Sequence, residues 1–153
     1  GAATGGVLEY LSDEQWEDAL QLKFFGYVRC TRATLPHFKK QGSGRVVNLI
    51  GNDGIKHSYW EIAPGAANAA GQNLTISLAG QYGKDNIRIN AISAGPLPTL
   101  AARSIPGFNE MTKIHREKSP LRRNVTHHEV ANTALFLVLI KHQWLWRSDL
   151  FGF

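Results

Sequence analysis

RVVNLI (Arg45–Ile50), GNDGIKHSYWEIAPG (Gly51–Gly65) and AANAAGQNLTISLAGQYG (Ala66–Gly83) follow one another without a break, and their order decides the fold. The first six residues are rich in β-branched side chains and apolar without alternation, the pattern of a short strand buried on both faces of a parallel sheet. Gly51–Pro64 reads as a loop. Ala66–Tyr82 reads as a helix whose start is unusually small, with Ala66, Ala67, Ala69, Ala70 and Gly71. Alanine favours a helix on propensity alone, and small residues also let another backbone approach closely. After a turn at Gly83–Asn86, IRINAIS (Ile87–Ser93) reads as a second strand. A strand, a helix and a second strand in that order imply a parallel pair with a crossover.

Upstream, Gly1–Leu11 is loop-like. Ser12 stands three residues before Gln15, a capping-box spacing that starts a helix. Trp16, Leu20, Leu22, Phe24, Val28, Leu35 and Phe38 carry a mostly helical rhythm to about Lys40, with Pro36 near its end. QGSG (Gln41–Gly44) is a turn. Downstream, Ala94–Gly107 is a Pro/Gly-containing loop, Phe108–Lys118 a short helix, and Thr126–Glu129 a second capping-box spacing that opens Glu129–Lys141. The expected architecture is α/β, a partial Rossmann-type parallel sheet with flanking helices, in one domain over 1–153. Two strands bury too little alone, so the neighbouring strands are expected to be missing from the chain or supplied by another.

At 153 residues, with 43% hydrophobic and 19% charged residues, the chain suits a single globular core. Its formal charge of +5 is scattered except at KSPLRR (Lys118–Arg123), and no nucleic-acid motif accompanies it. Cys30 is the one cysteine, which excludes an internal disulfide, and its apolar surroundings predict a buried, inert thiol. ALFLVLI (Ala134–Ile140) is too short for a membrane span, and with no signal-peptide pattern the cytoplasm is the default. His127 and His128 beside Glu129 suggest a helix-start surface rather than a metal site, because adjacent helical residues diverge in direction; no metal is expected.

Several segments, in order, resemble the short-chain dehydrogenase/reductase family. WEDALQLKFFGYVRCTRATLPHF (Trp16–Phe38) is similar to its long interface helix, and GRVVNLIGNDG (Gly44–Gly54) to the strand and loop that carry its catalytic Ser. NIRINAISAGPLPT (Asn86–Thr99) is similar to the strand before its Pro-Gly loop, and SPLRRNVTHHEVANTALFL (Ser119–Leu137) to its pre-terminal loop and helix. The resemblance is best over 12–140. The tail 141–153, with Trp144, Trp146, Phe151 and Phe153, is atypical. Gly1 can be aligned with the last residue of the family's Asn-Asn-Ala-Gly motif, which would leave the first four strands and the glycine-rich diphosphate turn outside the chain.

The resemblance implies an oxidoreductase using NAD or NADP in a complete parent, with Asn, Ser, Tyr and Lys as its catalytic set. Here those four positions are Lys23, Gly51, Pro64 and Asn68, so none of the set is intact and no tight cofactor binding by this chain is expected. Substitute proton-handling groups lie in the loop: His57, Tyr59 and Glu61, with Ser58 beside them. The plainer reading of SYWEI is a packed loop in which Tyr59 and Trp60 cover the sheet edge. Gly95, Pro96, Leu97 and Thr99 retain the family's loop that contacts the nicotinamide carboxamide and diphosphate. The helices over 12–40 and 66–82 match its paired subunit-interface helices, implying a homo-oligomer or a related subunit as partner, with no role for nucleic acid or membrane.

Overall fold

The structure, a computed structural model, describes residues 4–103, 105 and 107–139. The aromatic tail expected to be atypical, and the alignment proposed at Gly1, lie outside the described residues.

The first helix, α1, spans Asp13–Gln41. Its start is the expected capping box: Gln15 N–H donates to Ser12 Oγ at 3.4 Å, and Ser12 N–H donates to Gln15 Oε1 at 2.9 Å. Its end is Gly42, whose φ of 72° suits a residue without Cβ. The strands β1 (Gly44–Gly51) and β2 (Ile87–Ala94) run parallel, with Gly44 opposite Ile87 and Gly51 opposite Ala94. The crossover is α2, Ile62–Tyr82. A short α3 (Leu100–Arg103), then α4 (Phe108–Lys118) and α5 (His127–Leu139), complete the order. Among the described residues no third strand joins the sheet, as its narrow width in the sequence predicts.

The core lies where α2 is held between α1 and the sheet. Ala63, Ala67, Ile50, Ile87, Ile89 and Ile92 are buried there. Gly71 of α2 stands so close to its neighbours that an added Cβ would rest against the Tyr27 ring of α1 at 3.4 Å and Ile50 of β1 at 3.6 Å. The small-residue start of the helix therefore serves a three-way contact as well as propensity. One buried polar link crosses it: Asn48 Nδ2 donates to Thr75 Oγ1 at 2.9 Å, and that hydroxyl donates to Gly71 O at 2.8 Å. Both groups are satisfied, so the link holds β1 to α2 without a desolvation penalty.

Three expectations need correction. The helix α2 starts at Ile62, four residues before Ala66, because Pro64 in a first turn loses no intrahelical hydrogen bond. Cys30 is exposed, not buried. On α1 the buried residues are Ala19 and Thr31. With half-buried Lys23 and Tyr27 they form a stripe at four-residue spacing, and Cys30 is turned off that stripe by one residue. Tyr59 is 84% exposed rather than packed, and Trp60 is 54% exposed. Trp60 does tie the chain locally, since its carbonyl accepts from Gly6 N–H at 2.6 Å.

No helix among the described residues is long and apolar enough to cross a membrane. The second capping box forms as its spacing predicts, with Glu129 N–H donating to Thr126 Oγ1 at 3.2 Å and Thr126 N–H to Glu129 Oε2 at 2.8 Å. The Glu129 carboxylate also accepts from both terminal nitrogens of the Arg123 guanidinium, at 2.5 and 2.9 Å. These donors hold its pKa down to about 2. A carboxylate so occupied is a cap and an ion-pair partner, which agrees with reading His127-His128-Glu129 as helix-start surface.

Candidate functional site

The carboxyl ends of β1 and β2 open onto a cavity of about 350 Å³, within the usual size for a small-ligand cleft. Position at the strand ends follows from the fold: in an open α/β sheet the loops leaving the strands diverge there. Lys23 of α1, Gly51 and Asp53 after β1, Glu61 and Pro64 at the start of α2, Gly95–Leu97 after β2, and Phe108, Met111 and His115 of α4 contribute to its wall.

Three of these wall residues, Lys23, Gly51 and Asp53, meet in a hydrogen-bonded knot centred on Asn68, which is 1% exposed and not itself part of the wall. Asn68 Oδ1 accepts from Gly51 N–H at 2.8 Å and from Lys23 Nζ at 3.1 Å. Its Nδ2 donates to Asp53 Oδ1 at 2.8 Å. The two donors must meet the oxygen and the carboxylate must meet the nitrogen, so the amide orientation is fixed by chemistry. Three of the four positions that the resemblance marks as catalytic are thus bonded to one another: Lys23, Gly51 and Asn68. Pro64, the fourth, is buried beside them.

The knot also closes the space a catalytic side chain would need. A Cβ at Gly51 would fall 2.1 Å from Asp53 Oδ1 and 2.7 Å from Asn68 Nδ2. Gly54, in the 3₁₀ turn Asn52–Gly54, lies against the backbone of α2, and its Cβ would meet Ala69 N and Asn68 C at 2.8 Å. That turn is what carries Asp53 back to Asn68.

Of the loop residues, Glu61 and His57 line the cavity, whereas Tyr59 is not in its wall. Tyr59 instead packs edge to face with His57, ring centroids 5.5 Å apart. Burial is the main cause raising the Glu61 pKa; the nearby Asp53 charge adds to it and Lys23 opposes. A carboxyl whose folded pKa is raised binds its proton more tightly folded than unfolded. Its contribution is present below the unfolded pKa and is lost as pH rises through the folded one. Glu61→Gln should therefore be more stable than the wild type at neutral pH, with the gap closing as pH falls through the raised Glu61 pKa and gone below the ordinary carboxylate range. Urea unfolding across that range checks this, and a gap that widens in acid would contradict it.

Gly95, Pro96 and Leu97 reach the cavity, while Thr99 is exposed and outside its wall. Thr99 Oγ1 accepts from Ala102 N–H at 3.1 Å and so caps α3. The face of Gly95 is covered by the His115 ring, with Cε1 and Nε2 at 2.9 and 3.0 Å from where a Cβ would stand. Of the four loop residues that the resemblance marks for a nicotinamide cofactor, three therefore line the cavity and Thr99 does not. No set of three or more metal-ligating side chains gathers among the described residues.

Sequence reading missed Asp53 and His115. Asp53 had a signal, because Asn-Asp-Gly directly after a strand predicts a tight turn whose Asp bonds locally. His115 had none, since only the packing of α4 brings it over a loop twenty residues earlier.

The protein-family model described as enoyl-(acyl carrier protein) reductase matches residues 1–144. The enoyl-[acyl-carrier-protein] reductase [NADH] FabI of Bacillus subtilis is 35% identical over 119 residues, covering 78% of this chain and 45% of that protein. The NADPH-designated FabI of Staphylococcus aureus is 47% identical over 74 residues, 48% of this chain and 29% of that one. The crystal structure of enoyl-[acyl-carrier-protein] reductase (NADH) from Aquifex aeolicus superposes with a TM-score of 0.79 at 32% identity, over 86% of this chain and 51% of that one. Sorbitol-6-phosphate 2-dehydrogenase of Erwinia amylovora shares the fold, at TM-score 0.85 and 22% identity. The chain spans about half the length of the Bacillus subtilis and Aquifex aeolicus reductases. With the strand–helix–strand frame, its cavity and the family match in agreement, the chain belongs to the enoyl-(acyl carrier protein) reductase family of short-chain dehydrogenase/reductases.

Proposed function

We propose that this chain carries the substrate-side half of a reductase scaffold and by itself performs no family-type hydride transfer. The observation that carries this reading is the Asn68 knot. The position that the resemblance gives to a charged Lys holds a buried neutral amide hydrogen-bonded to Gly51, Lys23 and Asp53. Neither Gly51 nor Pro64 offers a side-chain proton donor. NAD or NADP binding then belongs to a complete parent that also has a diphosphate-gripping turn.

The test is to mix the chain with NADH or NADPH and a panel of enoyl thioesters and ketones, following nicotinamide absorbance, and with the oxidised cofactors and alcohols. No oxidation or reduction above the protein-free blank is expected. Saturable turnover with any pair would overturn the reading.

A second reading has its own support. Glu61 faces the cavity with a raised pKa, so in a complete parent it would serve as a proton donor in place of the missing Tyr. An unchanged rate in Glu61→Gln of that parent would dismiss it. Self-association through α1 and α2 is the third: Leu22 and Phe25 of α1 are 54% and 39% exposed. Light scattering that finds a monomer at high concentration would count against it.

A further inference from the structure

Asp-Gly occurs once in the chain, at Asp53 and Gly54, and Asn-Gly not at all. The pair has a chemistry of its own. A glycine amide carries no side chain to shield its nitrogen, so in a free peptide that nitrogen attacks Cγ of the preceding aspartic acid. The carboxyl hydroxyl leaves as water with the amide proton, and a five-membered succinimide closes. Water then opens the ring at either carbonyl. Opening at the former side-chain carbonyl restores Asp, whereas opening at the main-chain carbonyl leads the backbone through Cβ, as isoaspartate. One water is lost and one is gained, so the mass is unchanged and no oxidant or cofactor enters.

The fold opposes each part of that reaction. Ring closure needs Cβ of Asp53 and the nitrogen of Gly54 to eclipse across the Cα–C bond, which the helical backbone of the 3₁₀ turn Asn52–Gly54 does not allow. The carboxylate is held by another partner, since its Oδ1 accepts from Asn68 Nδ2 at 2.8 Å. Gly54 has no room to swing toward it: a Cβ there would stand 2.8 Å from Ala69 N and Asn68 C of α2. The same closeness makes the change one-way. An isoaspartyl link adds a methylene to the main chain and takes one from the side chain. The turn then no longer fits against α2, and the carboxylate no longer reaches Asn68.

We infer that Asp53–Gly54 is a site of spontaneous isoaspartate formation that the Asn68 knot keeps closed in the folded chain and releases when the knot opens. Asn68 is the positioning residue of this site, and water is its only co-reactant. A chain whose knot has opened for long enough is marked at Asp53 and does not rebuild it. The inference requires no ligand in the cavity and no nicotinamide, so hydride transfer in the separate assay would overturn the proposed function and leave this site untouched.

The experiment ages the full chain beside a synthetic peptide of residues 46–56, in the same neutral buffer. Trypsin cuts after Arg45 and Lys56 and so releases the same peptide from the aged chain. Isoaspartate at Asp53 is read as a second chromatographic peak of equal mass and identified by electron-transfer fragmentation. The folded chain should form it at least about tenfold more slowly than the peptide, because reaction waits for the knot to open. Asn68→Ala, which removes the Nδ2 donor, should raise the rate in the chain about tenfold. Thr75→Val removes the Asn48–Thr75 hydrogen bond from the same core without touching Asp53, and should leave the rate within about twofold. A folded chain that isomerises as fast as the peptide overturns the inference without any variant having to fold. So do equal rates in Asn68→Ala and Thr75→Val, which would give control of the site to something other than the knot.

Discussion

Replacing Asn68 by Leu should lower the unfolding free energy by about 3 kcal/mol. Leu has the same branching and the same number of side-chain heavy atoms but more volume, so it leaves no cavity, and the loss reports the polar partners together with some crowding. Three groups lose their contact at once: the Gly51 N–H, the Lys23 ammonium and the Asp53 carboxylate. A buried group left unpaired costs about 1–3 kcal/mol. Lys23 and Asp53 are half-buried and recover part of that from water, whereas the Gly51 amide is held in the strand. The sum therefore stays well below three full penalties. Urea titrations monitored by circular dichroism give the value, and the denaturant slope should not change. A loss under about 1 kcal/mol would mean that the knot contributes little to the fold.

Gly54→Ala should cost as much, about 3 kcal/mol, for a different reason. Its Cβ would stand 2.8 Å from two backbone atoms of α2, Ala69 N and Asn68 C. A side chain can rotate away from such a contact, but a helix backbone must be pushed off the sheet. The turn that presents Asp53 to Asn68 would then be displaced together with it. Gly80→Ala is the matched control: nothing lies within 4 Å of a Cβ there, and the residue is inside α2. That change should stabilise the chain by about 0.5–1 kcal/mol through helix propensity. Opposite signs at the two glycines would show that approach, and not composition, is what Gly54 supplies. A Gly54→Ala protein as stable as the parent would contradict the packing described around that turn.

The legible part of the fold was the part governed by local rules. Both capping boxes, at Ser12–Gln15 and Thr126–Glu129, form as their spacing dictates, and RVVNLI and IRINAIS pair in parallel. The start of α2 was misplaced because Pro64 looked like a loop residue, whereas a first helical turn has no use for its missing N–H. Cys30 was misjudged because a 29-residue helix packed along one narrow stripe leaves even apolar residues exposed.

At the site, the sequence identified the four altered positions but not what had replaced their chemistry. That Lys23, Gly51 and Asn68 bond to each other depends on contacts across 17 and 45 residues, which no local pattern encodes. Asp53 became meaningful only once its turn was seen to close on Asn68. His115 comes to cover Gly95 only through the packing of α4. The long-range partners of polar side chains were what the sequence could not supply.

Three of the family's four catalytic positions, Lys23, Gly51 and Asn68, are joined here in an internal network. Amide hydrogen exchange at Gly51 and at the Asn68 side chain measures it most directly. The Gly51 N–H and the Asn68 Nδ2–H that meets Asp53 both point at partners inside the knot, so the two should exchange together, far more slowly than in an unfolded peptide, and only with opening of the core. Exchange of either at the rate of free amides, in a chain whose β1 and β2 amides stay protected, would show an open centre and contradict the account.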